Sequence, residues 1–248
     1  MNKEREKLIL EILLKEKSVS VKELAKQLYA SEPSVRRDLA SLEAEGLIRR
    51  THGGAVLNEK GRGENMIPFL IRELEGSNEK HLIAERAAAL VKDGDVIFLD
   101  ASSSAFNMIP FLSGKKDLTV ITNGIKAINA LCEYRESKIK VISTGGSVHT
   151  TCLALIGEDA FRTVETYNAD ACFFACRGLS EDGRLTDISP EEDHVRQRMI
   201  EHSKRAYLLC TKEKIGKVYY HNICRLDSLS GAIFGEIPCE SLKKYAVE

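Results

Sequence analysis

Apolar positions recur at helical spacing through the first 45 residues of the chain. The first helix is predicted in "REKLILEILLKEK", from the positions Leu8, Ile9, Ile12 and Leu13. A second is predicted in "SVSVKELAKQL", where Ser20 precedes Glu23 by three residues, the spacing of a capping box. A third follows the break at "YASEP" and ends at Gly46. "LIRRTHGGAVL" then has apolar ends and a His-Gly-Gly tip, which predicts a short β-hairpin.

The third predicted helix has two contrasting faces. At about 100° per residue, Val35, Leu39 and Leu42 fall on one side and predict the inward face. The opposite side carries small residues and arginine, namely Pro33, Arg37, Ala40, Ser41 and Ala44, with Ser34 and Arg36 at its borders. Small side chains let a helix backbone approach another surface closely, and arginines supply charge and forked donors. A DNA major groove accommodates both.

Three short helices and a hairpin predict a winged helix-turn-helix DNA-binding domain over residues 1–57. Taken alone, Arg36 and Arg37 would be ordinary solvated charges, but the preceding turn and the "RRTH" of the hairpin favour DNA. We expect DNA contacts from Ser31, Ser34, Arg36, Arg37, Ser41, Arg49, Arg50, Thr51 and His52. For Arg50 and His52, a loop position without consequence remains the alternative. Asp38 is expected to pair with a basic side chain of this domain, because DNA phosphates would repel it.

From Glu79 onward, apolar strands alternate with helices. Strands are predicted in "DVIFLD", "LTVIT", "IKVIST", "ADACFFAC", "RAYLLCT" and "LSGAIF". Continuous apolar strands separated by helices indicate a mainly parallel α/β sheet that is covered on both faces. Residues 79–248 are therefore predicted to form an effector-binding and oligomerisation domain. Residues 58–78 mix charge, glycine and a proline, and are predicted to form a linker.

Polar residues gather where the predicted strands end, at "DASSS", "TNG", "TGGS", "CRG" and "CTKEK". Ligands of parallel α/β sheets bind at the carboxyl ends of the strands. Ser102–Ser104, ahead of a helix, offer hydroxyl and backbone donors that suit a phosphate. Glycine and serine also end strands for turn reasons alone. The convergence of five such ends indicates a site for a small polar molecule.

Composition narrows the classes of partner. The net charge is -1, so binding to nucleic acid must come from a local arrangement of charges. Neither a signal-peptide core nor an apolar run of membrane-spanning length is present, so we expect a cytoplasmic protein without a membrane partner. Seven scattered cysteines do not form a disulfide framework. Cys172 and Cys176 are predicted to pack in the core, and neither a metal nor a cofactor is predicted.

The segment "SEPSVRRDLASLEAEGLIRRTHGGAVL" is similar to the DNA-binding signature of DeoR-family transcriptional regulators, with Ser34 where threonine is more usual. The resemblance continues in "EKHLIAERAAALVKDGDVIFLD", "TVITNGIKAINAL" and "VRQRMIEHSKRAYLL", and so spans nearly the whole chain. It implies a sensor domain like ribose-5-phosphate isomerase. It also implies a repressor of carbohydrate-metabolism genes that responds to a phosphorylated sugar or a related anionic metabolite.

The resemblance further implies which residues contact the effector. They are Asp100, Ser102, Ser103, Ser104, Thr122, Asn123, Gly145, Gly146, Arg177, Gly178 and Lys214. Two segments depart from the family pattern: "ACRG" at 175–178 replaces Gly-Ala-Asp-Gly, and "TKEK" at 211–214 replaces Asp-Ser-Ser-Lys. Arg177 and Lys214 would favour a more anionic effector. The alternative is a pocket that has drifted and binds nothing.

Two other functions remain open. A sugar-phosphate isomerase with an accessory domain would need a general base, and Arg177 stands where an acid is expected, so no catalytic residue is predicted. A DNA-binding protein could also use its large domain only to oligomerise. Because one winged helix makes few DNA contacts, we expect a homodimer or homotetramer on double-stranded operator DNA.

Overall fold

The computed structural model describes residues 3–58, 67–134, 138–236 and 240–247. The chain divides into two compact units, Met1–Glu75 and Gly76–Glu248. The segment 58–78, which the sequence places in a linker, therefore contributes residues to both units. Ile71 and Leu74 are buried in the core of the first unit.

In the described part of the first unit there are four helices and three strands. The helices are α1 (Lys3–Glu16), α2 (Val21–Gln27), α3 (Glu32–Ala44) and α4 (Phe69–Leu74), and the strands are β1 (Ser18–Ser20), β2 (Ile48–Thr51) and β3 (Gly54–Leu57). The strands form an antiparallel sheet in the order β1-β3-β2. Strands β2 and β3 are the predicted hairpin, whereas β1 was not predicted. The predicted winged helix-turn-helix is confirmed.

Local signals in the sequence set the helix boundaries of this unit. The Ser20 hydroxyl accepts the Glu23 N–H at 3.2 Å, and the Glu23 carboxylate accepts the Ser20 N–H at 3.0 Å. This reciprocal pair is the predicted capping box. The predicted inward face of α3 is also confirmed, because Val35, Leu39 and Leu42 are fully buried.

The second unit contains eleven strands and seven helices among its described residues. The strands are β4 (Val96–Leu99), β5 (Thr119–Thr122), β6 (Lys140–Ser143), β7 (Ser147–His149), β8 (Ala154–Ile156), β9 (Ala171–Phe174), β10 (Gly178–Leu179), β11 (Arg184–Asp187), β12 (Ala206–Cys210), β13 (His221–Arg225) and β14 (Gly231–Phe234). The helices are α5 (Ser77–Ala89), α6 (Ser103–Phe106), α7 (Ile109–Leu112), α8 (Ile125–Glu133), α9 (Glu158–Glu165), α10 (Pro190–Glu201) and α11 (Glu240–Lys243).

Six strands form an entirely parallel sheet in the order β14-β12-β9-β4-β5-β6, as the sequence predicts for its six apolar strands. Alternate residues of β4 enter different cores. Ile97 and Leu99 pack with α5–α8 on one face, and Phe98 packs with α9 and α10 on the other. Burial on both faces explains why these strands are continuously apolar.

Two smaller antiparallel sheets complete the unit, one from β7-β8 and one from β10-β11-β13. Neither was predicted. The β7-β8 hairpin is attached to the end of β5, because Leu155 N–H donates to the Asn123 carbonyl at 2.7 Å and Ile125 N–H donates to the Leu153 carbonyl at 2.9 Å. The second sheet follows directly from the carboxyl end of β9.

Two composition-based expectations can be compared with the structure. Within the described ranges, no helix is both long and apolar enough to span a lipid bilayer. Cys172 lies on β9 and Cys176 just beyond it, and both are buried. Burial raises the pKa of both thiols well above the usual value, which keeps them protonated. The prediction that they are core residues is confirmed.

Candidate DNA-binding surface and effector site

The face of α3 opposite its buried leucines carries the predicted DNA contacts. Arg36, Arg37 and Ala40 are exposed, while Ser34 and Ser41 are half-buried. Ser31 occupies the N-cap position, but its side chain makes no capping hydrogen bond. The face thus keeps both guanidinium groups in solvent and only short side chains between them, which suits a close approach to a groove.

A hydrogen-bonded line connects Ser31, Ser34 and Arg37 along this face. The Ser31 and Ser34 hydroxyls lie 3.0 Å apart, and Arg37 Nη2 donates to Ser34 Oγ at 3.3 Å. The line orients Arg37 without neutralising it. Among the described residues, Arg37 forms no ion pair, so its full charge is available to a phosphate or a base edge.

Arg36 and Asp38 differ from Arg37 in having carboxylate or guanidinium partners. Arg36 pairs with Glu32 at 3.0 Å, one turn earlier on the exposed surface. Such a pair is worth only about 0.3–0.5 kcal/mol, so exchange for a phosphate costs little. Asp38 is 2% exposed and is bound by the Arg5 guanidinium of α1. The prediction that Asp38 pairs within its own domain is confirmed, and its charge is withdrawn from the DNA face.

The hairpin presents the other predicted contacts, and Arg49, Arg50, Thr51 and His52 are all exposed. Two bonds fix the hairpin: Arg50 N–H donates to the Glu43 carboxylate of α3 at 2.9 Å, and the Gly53 carbonyl accepts Val21 N–H at 2.8 Å. The wing is therefore held on the helices, although its basic side chains remain in solvent.

In the second unit, the five predicted strand ends meet at one edge of the parallel sheet, because β12, β9, β4, β5 and β6 are neighbours. Along the chain, β5 and β6 are added on one side of β4, and β9 and β12 are then added on its other side. Such a reversal is a topological switch point, where α/β sheets bind ligands. Here the switch point lies between the ends of β4 and β9, which carry Asp100 and 175–177.

Asp100 is held tightly at this switch point. Its Oδ1 accepts Ser102 N–H at 3.1 Å, and its Oδ2 accepts Ala175 N–H at 3.4 Å from the neighbouring strand end. Arg196 Nε of α10 donates to the same Oδ2 at 2.9 Å. With these three donors, the buried Asp100 carboxylate already has the partners that a ligand hydroxyl would otherwise provide.

Arg196 is the centre of a buried charged cluster that the sequence did not predict. Besides Asp100, its guanidinium contacts Asp193 at 2.7 Å, Asp187 at 3.1 Å and Glu192 at 3.2 Å, and all five residues are buried. Burial by itself would lower the pKa of Arg196, but the four carboxylates raise it well above the usual value. The guanidinium therefore stays charged at any pH that the protein experiences.

Two further basic side chains touch the cluster. Arg177 Nε lies 3.2 Å from Asp187 Oδ1, and His221 Nδ1 lies 2.7 Å from Asp193 Oδ2. Burial raises the pKa of Asp193, although the charge of Arg196 acts in the opposite direction. Arg177 was expected to contact the effector, but its guanidinium pairs with the neighbouring Asp187. The only sequence signal for this cluster was the local spacing of Glu192, Asp193 and Arg196.

Two predicted effector residues carry buried oxygen atoms without a hydrogen-bond partner among the described residues. They are Ser104 Oγ and Asn123 Oδ1, in residues that are 0% and 2% exposed. The Asn123 amide is oriented by its Nδ2, which donates to the Leu155 carbonyl at 3.1 Å. An unsatisfied buried polar group costs about 1–3 kcal/mol. Ser104 and Asn123 follow adjacent strands, so both oxygens lie at the same sheet edge.

Four of the remaining predicted effector residues, Ser102, Thr122, Gly146 and Gly178, have structural roles. Ser102 Oγ caps α6 by accepting Ala105 N–H at 3.1 Å, and Thr122 Oγ1 accepts Gly124 N–H at 3.0 Å. Since α6 has only four residues, hydroxyls matter more here than a helix dipole. Ser103 is buried, Gly145 is exposed and Lys214 is half-buried. Gly146 and Gly178 each face a carbonyl oxygen that leaves no room for a Cβ.

Comparison with known proteins gives matches over both units. Residues 5–61 match the family model of the DeoR-like helix-turn-helix domain, and residues 75–236 match that of the DeoR C-terminal sensor domain. A solved structure of ribose-5-phosphate isomerase from Methanocaldococcus jannaschii is 18% identical, with a TM-score of 0.43 over 57% of this chain and 55% of that chain.

Curated relatives match over nearly their full lengths. The uncharacterized HTH-type transcriptional regulator YulB of Bacillus subtilis is 37% identical over 93% of this chain and 87% of its own. The lactose phosphotransferase system repressor of Staphylococcus epidermidis is 30% identical over 95% and 93%, and the L-fucose operon activator of Haemophilus influenzae is 31% identical over 97% and 95%. With a winged helix at one end and the family's sensor domain at the other, this chain belongs to the DeoR family of DNA-binding transcriptional regulators.

Proposed function

We propose that this protein represses carbohydrate-metabolism genes by binding a duplex operator, and that a phosphorylated sugar or related metabolite controls its affinity. The lactose system repressor and the fucose operon activator among its relatives support sugar genes as the target. The observation that carries the effector proposal is the pair of buried oxygens without partners at Ser104 and Asn123. A sugar hydroxyl would donate to Asn123 Oδ1, and a phosphate or hydroxyl oxygen would accept from Ser104 Oγ, so that the desolvation cost of both atoms is recovered.

The DNA contacts follow from the exposed line of Ser31, Ser34 and Arg37. We propose that α3 enters the major groove with Arg36 and Arg37 at base edges or phosphates, and that the wing contributes Arg49, Arg50, Thr51 and His52. A half-site this small requires a homodimer or homotetramer with a repeated or palindromic operator. Sedimentation analysis of the free and DNA-bound protein tests the subunit number. A protein with this function would act in the cytoplasm, where the operator DNA is.

A more anionic effector loses the support of Arg177, because that guanidinium pairs with Asp187. Lys214 is the remaining basic side chain of the predicted set, and one phosphate matches one lysine. We therefore favour a sugar monophosphate over a bisphosphate. Its phosphate would meet Ser102–Ser104 and Lys214, and its hydroxyls would meet Asn123.

We infer that the protein is not an isomerase. A general base must accept a proton from the substrate, and Asp100, the carboxylate nearest the predicted phosphate loop, is bound by Arg196 and two backbone N–H groups. These three donors already occupy both oxygens of the buried carboxylate, which leaves neither of them directed at a substrate. Incubation with pentose and hexose phosphates tests this, and the appearance of isomerised product would contradict it.

The function is tested by titrating a duplex from the region upstream of its own gene, alone and with millimolar sugar monophosphates. We expect binding without ligand and weaker binding with one of the phosphates, together with a rise in melting temperature. Failure to bind that duplex would contradict the regulator proposal for this operator. Binding that no phosphate changes would indicate a sensor domain that only oligomerises.

A further inference from the structure

Tyr29 stands in an unfavourable backbone conformation at the turn between α2 and α3. Its φ is +49°, in the left-handed region that favours glycine. The surrounding bonds form a Schellman ending of α2: Ala30 N–H donates to the Ala25 carbonyl at 3.0 Å, and Tyr29 N–H donates to the Lys26 carbonyl at 3.4 Å. Tyr29 occupies the position where helices usually place glycine.

Folding gains nothing visible from this tyrosine. The residue is 98% exposed, so its ring buries almost no apolar area. Four other described residues other than glycine have positive φ, but three are polar and the fourth, Leu153, is half-buried. Tyr29 is the only exposed aromatic residue among the five. A residue that breaks two local rules without a folding benefit is expected to serve function.

The position of Tyr29 indicates what that function is. It lies two residues before Ser31, the N-cap of α3, where the line of Ser31, Ser34 and Arg37 begins. In helix-turn-helix proteins the amino-terminal residues of the recognition helix meet base edges, so phosphates flank this end. Tyrosine hydroxyls are among the groups that donate hydrogen bonds to DNA phosphates.

We propose that Tyr29 donates its phenolic hydrogen to a phosphate oxygen of the operator, beside the groove that α3 enters. This inference rests on the DNA-binding function of the first unit and adds a contact to it. The bond is neutral on the protein side, so it fixes the register of the helix on the duplex and does not add positive charge. Because Tyr29 is almost fully exposed, its hydroxyl is available to a partner.

The test compares Tyr29→Phe with the unchanged full-length protein. Phenylalanine keeps the ring and the backbone and removes only the hydroxyl. We expect Kd to rise roughly three- to tenfold, the effect of one lost hydrogen bond. The rise should be similar on operator and scrambled duplexes, because a phosphate carries no sequence. The slope of log K against log salt should not change, because no charge is lost. Fluorescence anisotropy on labelled duplexes measures all three.

Controls separate this contact from folding and from the DNA-binding function itself. Tyr29→Gly should weaken binding at least as much as Tyr29→Phe, with an equal or higher melting temperature because the turn favours glycine. Asp117→Gly, at a left-handed position in the sensor domain with φ of +53°, should leave Kd unchanged. Arg37→Ala should weaken binding in any case, and if it does not, the DNA face itself is misassigned.

Three results would overturn the proposal. If Tyr29→Phe binds like the unchanged protein while Tyr29→Gly binds more weakly, the ring is an apolar contact with another protein surface. If both variants bind normally, Tyr29 has no role on DNA. If Tyr29→Phe lowers the melting temperature together with affinity, the hydroxyl is structural.

Discussion

Arg37 and Arg196 show how differently the two units use the same side chain. Arg37 lies in solvent on α3, is oriented by Ser34, and forms no ion pair among the described residues. Arg196 is buried on α10 and contacts four carboxylates. The exposed guanidinium is available to a partner molecule, whereas the buried one is committed to the fold. Replacing the first should change binding, and replacing the second should change stability.

The geometry of an ion pair does not by itself show whether an arginine is available to a partner molecule. Arg36 and Glu32 on α3, and Arg162 and Glu158 on α9, form exposed pairs of the same spacing at 3.0 Å. Both pairs add a few tenths of a kcal/mol at most. Only the first lies on a face of small residues next to a basic wing. The surroundings of an arginine, not its nearest carboxylate, indicate its role.

The largest expected effect is the loss of the buried cluster. Arg196→Met should destabilise the sensor unit by about 3–5 kcal/mol, because removing one partner leaves buried carboxylates without compensation. Urea unfolding of the full chain, followed by circular dichroism, measures this. Arg198→Ala on the same helix is the control, since Arg198 forms, among the described residues, only exposed pairs with Glu165 and Glu201 and its removal should change stability far less. Equal losses in the two variants would remove the contrast between the buried and exposed arginines.

Removal of the exposed guanidinium should have the next largest effect. Arg37→Ala should weaken operator binding by about 1–3 kcal/mol with little change in stability. A phosphate contact should also reduce the salt slope by about one unit, whereas a base contact should relax specificity at one position. Anisotropy titrations at several salt concentrations distinguish the two.

Arg162→Ala is the matched control, because Arg162 is an exposed arginine of the sensor unit. It should leave operator affinity unchanged. If both variants weakened binding equally, general surface charge would be responsible, and the special status of the α3 face would be lost.

The sequence predicted those parts of the molecule whose signals are local. Continuous apolar runs predicted all six strands of the parallel sheet, and the spacing of Ser20 and Glu23 predicted a capping box that forms. The inward face of α3 followed from a helical period, which needs only its own residues. The strand β1 was missed because three residues between two helices carry no pattern, and its pairing with β3 depends on residues 34 to 38 positions away.

The buried cluster was missed for the same physical reason. The polar stretch "EEDHVRQR" of α10 is typical of a solvated helix, yet Glu192, Asp193 and Arg196 are buried. Arg196 compensates the two carboxylates of its own helix, but it also binds Asp100, 96 residues earlier, and a contact at that separation leaves no local pattern in the sequence. Sequence placed Asp100 and Arg177 at the correct edge of the sheet. It did not reveal that both would already be paired.

The unsatisfied oxygens allow a sharper test within the sensor unit. Ser104→Ala should leave stability without ligand unchanged or slightly higher, because it removes a buried hydroxyl that lacks a partner. It should also reduce the stabilisation by a sugar phosphate by about 1.5 kcal/mol or more, the value of a hydrogen bond to a charged group. Differential scanning fluorimetry with and without the ligand measures both.

Ser102→Ala is the comparison for the ligand-free protein, since the Ser102 hydroxyl caps α6. Loss of a cap should cost about 1 kcal/mol without ligand. If Ser104→Ala destabilised the free protein as much as Ser102→Ala, Ser104 would be a structural residue and the effector proposal would lose its main support.

The smallest expected effect compares two serines at helix starts within the first unit. Ser20 accepts the Glu23 N–H and belongs to a capping box, whereas Ser31 makes no capping bond and faces Ser34 instead. Ser20→Ala should therefore cost about 1 kcal/mol of stability and leave intrinsic operator affinity unchanged. Ser31→Ala should barely change stability but should weaken operator binding, because it removes the hydroxyl that holds Ser34, and Ser34 in turn orients Arg37. Thermal unfolding and anisotropy are measured for both variants. Ser20→Ala should change only the melting temperature, and Ser31→Ala should change mainly the operator affinity. If Ser31→Ala proved as destabilising as Ser20→Ala, Ser31 would cap α3. The Ser31 hydroxyl would then have a structural role and would not be available to orient Arg37 for DNA.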